Sequence, residues 1–200
     1  MTIFKEMQGL KLKLIVNKEF WAILIITIIA FGLRLYRLGA SDLWYDEVWS
    51  VLISKNFLYN WNPPLYFSFL YYWIKLFGVS EFAIRFPSLV FSVASIPSIF
   101  FLGKQIFNNR VGLYASLIMC LSSFHLWYAQ EARPYSLVVL LSILSTYYLY
   151  RFLKEEKIKL GIIYILFSIL GIYSDTTFYY LFLLFTQLLA AVIFIKKIFT

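Results

Sequence analysis

Apolar runs at residues 20–38, 86–102, 111–128, 134–150, 160–174 and 176–195, joined by short polar stretches, leave this chain little choice of solvent. Most have the roughly 17–25 residues that a bilayer-spanning helix requires, and the fifth is short. With 62% hydrophobic and only 14% charged residues, a water-soluble fold of 200 residues could not hide that much apolar surface. The fold class expected is therefore all-α: a polytopic membrane bundle of about six transmembrane helices. A seventh apolar stretch, 63–74, is too short to span and is closed by Lys75. Its aromatic residues suit the headgroup boundary, so it reads as an interfacial helix in a long first outer loop. Asn62 is placed to cap that helix, with Pro63 in its first turn.

Charge sets the orientation. With six spans and the N-terminus inside, one face carries Lys5, Lys11, Lys13, Lys18, Lys104, Arg110, Arg151, Lys154, Lys157, Lys159, Lys196 and Lys197. The carboxylates Asp42, Asp46, Glu47, Glu81, Glu131 and Asp175 all fall on the other. Letting 63–74 span would translocate the basic cluster 151–159, which the positive-inside rule rejects. The net charge of +8 is thus accounted for by membrane orientation, and no nucleic-acid partner is expected. Residues 1–19 read as a cytoplasmic segment, followed by a retained signal anchor rather than a removed signal peptide. Cys120 is the single cysteine and His125 the single histidine, so neither a disulfide nor a histidine metal cluster is expected within the chain. No P-loop, dinucleotide-binding glycine pattern, serine elbow or zinc-protease helix is present.

Two polar clusters follow apolar spans and fall on the same outer face. The first holds Asp42, Asp46 and Glu47. The Asp46-Glu47 pair has three readings: a base for an acceptor hydroxyl, a holder of a divalent cation that neutralises phosphate, or acids that merely cap a helix beginning near Glu47. The second runs Tyr128-Ala129-Gln130-Glu131-Ala132-Arg133-Pro134-Tyr135. Pro134 places Arg133 at a helix N-terminus, where backbone N–H groups and a guanidinium together favour phosphate; the alternative is a Glu131–Arg133 interfacial anchor. Arg85 reads either as a second phosphate contact or as a snorkelling anchor, and Arg34 and Arg37 as snorkelling residues. Asp175 is either a ligand or the polar residue that a short loop needs.

The order of these pieces resembles the GT-C class of polyprenyl-phosphate-sugar glycosyltransferases. It is closest to family 39, which holds protein O-mannosyltransferases and the aminoarabinose transferases acting on lipid A. The resemblance lies in Leu43-Trp44-Tyr45-Asp46-Glu47 with Trp49-Ser50, in Asn62-Pro63-Pro64-Leu65-Tyr66, in Phe77-Gly78 through Glu81-Phe82-Ala83-Ile84-Arg85-Phe86-Pro87-Ser88, and in Trp127 through Tyr135. It implies transfer of a sugar from a polyprenyl-phosphate donor to a hydroxyl of a protein, lipid or glycan at the outer face of the cell membrane. Asp46 would be the catalytic residue with Glu47 beside it. Arg133 would hold the lipid phosphate, and Glu131, Gln130, Arg85, Tyr128 and Asn62 would bind substrate. Two positions depart from the pattern: Asn62 and Asp175 stand where similar proteins often have His. Residues 20–200 would be the N-terminal catalytic half of a longer fold, the further helices and outer domain being absent. The resemblance fixes no cofactor, and a divalent cation at Asp46 and Glu47 remains one option. The contrasting class is a non-catalytic subunit that binds or flips a polyprenyl lipid. Flipping would place polar groups near mid-membrane, whereas here the charges collect at the outer face.

Overall fold

The structure is a computed structural model that describes residues 18–56 and 62–180, together with residues 182 and 186. The described chain is helical, with no strand among its residues. In order the helices are α1 (Lys18–Leu35), α2 (Tyr45–Lys55), α3 (Pro64–Phe77), α4 (Glu81–Ile106), α5 (Asn109–Leu121), α6 (Ser123–Ala129), α7 (Tyr135–Glu155) and α8 (Ile158–Ile172). A further helical turn begins at Thr177, and most of the expected sixth span, 176–195, lies outside the described residues. Large apolar side chains point outward on α1 (Ile25, Ile28, Ile29), α5 (Leu117, Ile118) and α8 (Ile162, Ile165, Leu166). That pattern suits lipid as the outer solvent, and the protein is an integral membrane protein.

By length and composition α4 and α7 are able to cross a membrane, and α5 with α6 makes a third candidate if the bent pair is one span. The helix of α1 has 18 residues but includes Lys18, Glu19 and Arg34, and α8 has 15 residues. The expected straight span at 111–128 is instead broken, with a 61° bend between Leu121 and Ser123. Ser122 causes the break: its backbone is extended and its hydroxyl accepts the His125 N–H, capping α6 afresh.

The bend frees carbonyls at the end of α5, and Arg34 takes them. Its Nη1 and Nη2 donate to the Cys120 and Met119 carbonyls at 3.3 and 3.2 Å, its Nε to Ser92 Oγ at 2.7 Å, and Nη2 also to His125 Nδ1 at 2.8 Å. Arg34 is fully buried, so it does not snorkel as expected. Its charge sits where a helix C-terminus carries partial negative charge.

Helix α4 is the axis of the bundle, packing against α1, α3, α5, α6 and α7. It begins at Glu81, capped by Ser80, whose hydroxyl accepts the Ala83 N–H, and so starts several residues before the expected 86. Pro87 lies inside it and can give no hydrogen bond to the Ala83 carbonyl four residues back. Trp73 of α3 fills that role, its indole N–H donating to Ala83 O at 2.8 Å. Helix α3 begins one residue later than expected: Pro63 holds the cap position, Pro64 the first turn, and Asn62 does not cap it. Its buried Tyr66, Phe67 and Leu70 join Ile53, Ile84, Leu137, Val138 and Leu141 in the core below the polar loops.

Helices α4 and α5 cross at two glycines. A Cβ on Gly112 would lie 2.6 Å from the Phe100 carbonyl oxygen, and one on Gly103 would lie 2.9 Å from Gly112 Cα. The backbones therefore touch as small-residue membrane crossings do. Gly112→Ala should destabilise the protein by about 1–3 kcal/mol, because a backbone atom must move. Gly32→Ala, with nothing within 4 Å of the new Cβ, serves as the control. Thermal unfolding in detergent checks this; equal midpoints for the two variants would disprove the close crossing.

Candidate active site

Glu47 and Arg85 form the centre of the polar face. The N-terminal turn of α2 carries Asp46 and Glu47, while Arg85 stands one turn into α4. Glu47 is fully buried, and its two oxygens accept four hydrogen bonds. Oε1 takes Arg85 Nε at 2.7 Å and the Ala132 N–H at 2.9 Å; Oε2 takes Arg85 Nη2 at 2.6 Å and the Trp44 N–H at 3.3 Å. Arg85 spends its remaining donors on backbone oxygens of the first loop: Leu38 at 3.1 Å, Ser41 at 2.9 Å and Asp42 at 3.1 Å. It is 3% exposed and has no donor left for a phosphate, so neither reading of Arg85 drawn from the sequence describes its position. Glu47 is likewise filled. The Asp46-Glu47 pair therefore does not offer two open carboxylates to a cation, and the described residues contain no group of three or more metal-ligating side chains.

Asp46 is one residue away and differs in every respect. Its side chain is 36% exposed, and its Oδ2 lies 3.9 Å from Arg133 Nη2. Arg133 is held from several sides without being filled. Nη2 donates to the Tyr135 hydroxyl at 3.1 Å, Nη1 reaches Ser50 Oγ at 3.4 Å, the guanidinium lies 5.2 Å from the Tyr135 ring centre, and the Arg133 carbonyl accepts from Ser88 Oγ at 3.2 Å. Its Nε is buried with no partner. Directly after it, α7 starts with no side-chain cap. An under-coordinated guanidinium beside an uncapped helix N-terminus is a place for an anion. Asp175 lies near enough to act electrostatically on Arg133, but its carboxylate is used locally, accepting the Thr177 N–H and hydroxyl at 2.7 Å each.

The second cluster divides around this centre. Tyr128 packs edge-on against Tyr135 and turns to an apolar pocket of about 480 Å³, lined also by Phe124, His125, Val139 and Tyr180. Gln130 and Glu131 face the other way. They line a polar cleft of about 290 Å³ with Arg37, Asp42, Trp44 and Trp127, whose floor is the Glu47–Arg85 bridge. Gln130 is a clamp as well, its Nε2 donating to the Arg34 and Tyr36 carbonyls at 3.0 and 2.8 Å. Burial pushes the Glu131 carboxyl above the ordinary carboxylate range, although the nearby Trp127 side chain pulls the other way. Asn62 is exposed at the head of α3.

Sequence reasoning counted Ser50, Trp44 and Trp127 among the residues that carry the resemblance but gave no role to Ser50, which supports Arg133, or to the two tryptophans, which line the cleft. Ser50 lies one helical turn after Asp46, on the same face of α2, which was the available signal.

The family described as dolichyl-phosphate-mannose-protein mannosyltransferase matches residues 62–200. An undecaprenyl phosphate-alpha-4-amino-4-deoxy-L-arabinose arabinosyl transferase of Wigglesworthia glossinidia brevipalpis is 35% identical over 114 residues, covering 48% of this chain. The chain spans about a fifth of that relative, the matched stretch being 20% of its length. No solved structure matches.

Breaking the central pair should damage the fold before it damages chemistry. Glu47→Ala leaves Arg85 buried without its counter-charge and should cost about 3–5 kcal/mol. Asp46→Ala, at a half-open position, should shift the unfolding midpoint little. A Glu47→Ala protein as heat-stable as wild type would refute the central role of the pair.

Proposed function

This chain belongs to the dolichyl-phosphate-mannose-protein mannosyltransferase family, a family of GT-C glycosyltransferases, and we propose that it carries the donor site of a lipid-linked sugar transferase. The observation that carries this reading is the pairing of Asp46 and Arg133 at 3.9 Å, each only partly satisfied, beside a neighbouring pair that is saturated. At that length the two groups form a loose ion pair outside hydrogen-bond range, so an incoming phosphate displaces a weak contact at Arg133 and not a strong one.

In this reading the donor phosphate sits on Arg133 and the N-terminal N–H groups of α7. The prenyl chain lies in the apolar pocket beyond Tyr135, which touches both Arg133 and that pocket. Asp46 takes the proton of the acceptor hydroxyl as its oxygen attacks the anomeric carbon. The bond from that carbon to the phosphate oxygen breaks, and the leaving polyprenyl phosphate gains a charge. Arg133 stabilises that charge, which is larger in the transition state than in the bound donor. Glu47 acts as a positioning residue: it fixes the start of α2 and the backbone at Ala132, and so sets the spacing between Asp46 and Arg133.

The test uses the full-length protein in membranes, with polyprenyl-phosphate mannose and polyprenyl-phosphate 4-amino-4-deoxyarabinose as donors, and reads release of polyprenyl phosphate. Asp46→Asn should lower turnover by about 10²–10⁴-fold with donor binding nearly unchanged, the signature of a lost general base. Arg133→Lys should weaken donor binding, costing about 1.5–3 kcal/mol, because a point charge cannot replace the fork. Normal turnover by a folded Asp46→Asn protein would defeat the reading.

The site is proposed to face outward. Val79 and Phe107 flank the two ends of α4, both exposed. Its 26 residues separate those ends by roughly 39 Å. A cysteine at Val79 should react with a membrane-impermeant thiol reagent added outside, and one at Phe107 should not. The reverse pattern would place the site on the cytoplasmic face.

A further inference from the structure

The polar cleft on the far side of the Glu47–Arg85 bridge has features that the donor-phosphate reading leaves unused. Its floor is electrically quiet, since Glu47 and Arg85 neutralise each other and have no hydrogen-bonding capacity to spare. Glu131, which also lines the cleft, is different. Only 6% exposed, it has an Oε2 that is buried with no hydrogen-bond partner. A buried acceptor without a donor is costly, and such groups in folded proteins usually await a partner.

The walls are two indoles from separate parts of the chain. Trp44 precedes α2 and is 47% exposed; Trp127 lies on α6 and is 68% exposed. The Trp127 side chain also lies close enough to the Glu131 carboxyl to influence it, which places one indole beside the acceptor. The remaining charged side chains, Arg37 and Asp42, supply one donor group and one further acceptor. Arg37 is held there with φ of 59°, a left-handed backbone that a residue with a Cβ adopts at a cost, as strained residues at binding sites often do.

Flat apolar faces flanking a carboxylate are matched by one class of ligand. A sugar ring has C–H faces that cover an indole and hydroxyls at its edge that donate to a carboxylate. At about 290 Å³ the cleft is at the small end of ligand pockets, with room for one ring.

We propose that the cleft bounded by Trp44 and Trp127 is a monosaccharide subsite in which the Glu131 carboxylate accepts a hydroxyl hydrogen of a sugar ring. The proposal rests on the donor-site reading only for its place in a reaction. The cleft lies near the Asp46–Arg133 pair, across the Glu47–Arg85 bridge from it: the charges of both Arg133 and Asp46 reach the Glu131 carboxyl. That ring is either the sugar of the lipid-linked donor or a sugar of the acceptor. Both present the same chemistry.

The experiment measures binding of three probes to the full-length protein in nanodiscs: bare polyprenyl phosphate and the two lipid-linked sugars named above. It also measures the KM of a glycan acceptor. Wild type, Glu131→Gln, Trp127→Phe and Trp127→Ala are compared. If the donor sugar occupies the cleft, Glu131→Gln and Trp127→Ala lose about tenfold or more in affinity for a lipid-linked sugar, the scale of one hydrogen bond to a charged group. Their affinity for bare polyprenyl phosphate stays unchanged, and Trp127→Phe, which keeps an aromatic face, recovers part of the loss. If the acceptor sugar occupies it, donor binding and donor hydrolysis by water stay as in wild type while the acceptor KM rises. Either pattern supports the subsite.

Equal loss of bare polyprenyl phosphate and lipid-linked sugar would overturn it, marking a phosphate or folding role. So would variants that match wild type on all probes, or a wild-type protein for which a sugar adds nothing to binding of either donor or acceptor. Failure of wild type to bind bare polyprenyl phosphate would count against the donor-site reading instead, a separate measurement.

Discussion

The Glu47–Arg85 ion pair organises the polar face, because nearly every loop in it terminates there. A carboxylate and a guanidinium withdrawn from water lose solvation worth several kcal/mol each, and their attraction alone does not restore it. The protein compensates with geometry. Glu47 accepts two bonds from Arg85 in a fork and one each from the Trp44 and Ala132 backbones; Arg85 turns its other donors to three carbonyls of the first loop. Those backbone partners come from the loop after α1, the cap of α2 and the loop before α7. One interaction thus fixes three segments that have no secondary structure of their own.

A second arginine solves a different problem in the same way. The break at Ser122 re-aims the chain by 61°, so that Ala129 through Arg133 returns toward the first loop instead of continuing along α5. Such a break strands carbonyls inside a membrane protein, where water cannot satisfy them. Arg34 meets that need from α1, and Gln130 then ties the returning loop to the Arg34 and Tyr36 carbonyls. The bend that positions the second polar cluster depends on a residue 99 positions before Arg133 in the chain.

Much of this was legible in the sequence, and the failures have a common cause. Helical class, the two polar clusters and their convergence follow from hydropathy period and loop order, which are local properties. The bend at Ser122 was not visible because Leu121-Ser122-Ser123 is apolar enough to continue a span, and a serine costs a membrane helix little unless a partner elsewhere accepts the break. Arg34 and Arg85 looked like anchors because a charge near a helix end is usually solvated; only tertiary partners far along the chain make burial affordable. The run Gln130-Glu131-Ala132-Arg133 looked like one site. It divides into two because Ala132 is pinned to Glu47, leaving Glu131 and Arg133 on opposite sides of the bridge.

The contrast between Arg85 and Arg133 shows how one fold can use the same side chain for two purposes. Both meet the α2 N-terminus, and both face one of the adjacent acids, Asp46 or Glu47. Arg85 sits against a carboxylate at 2.6 Å with every neighbouring acceptor within reach, so no ligand could improve its environment. Arg133 sits 3.9 Å from its carboxylate, with a long bond to Ser50 and an Nε left empty. A ligand anion gains most where the protein has left coordination unfilled, since it then replaces weak contacts rather than strong ones. Saturating one pair makes the geometry of the other rigid, and in the proposed reading a rigid, incompletely coordinated pair presents its charges to a substrate without reorganisation.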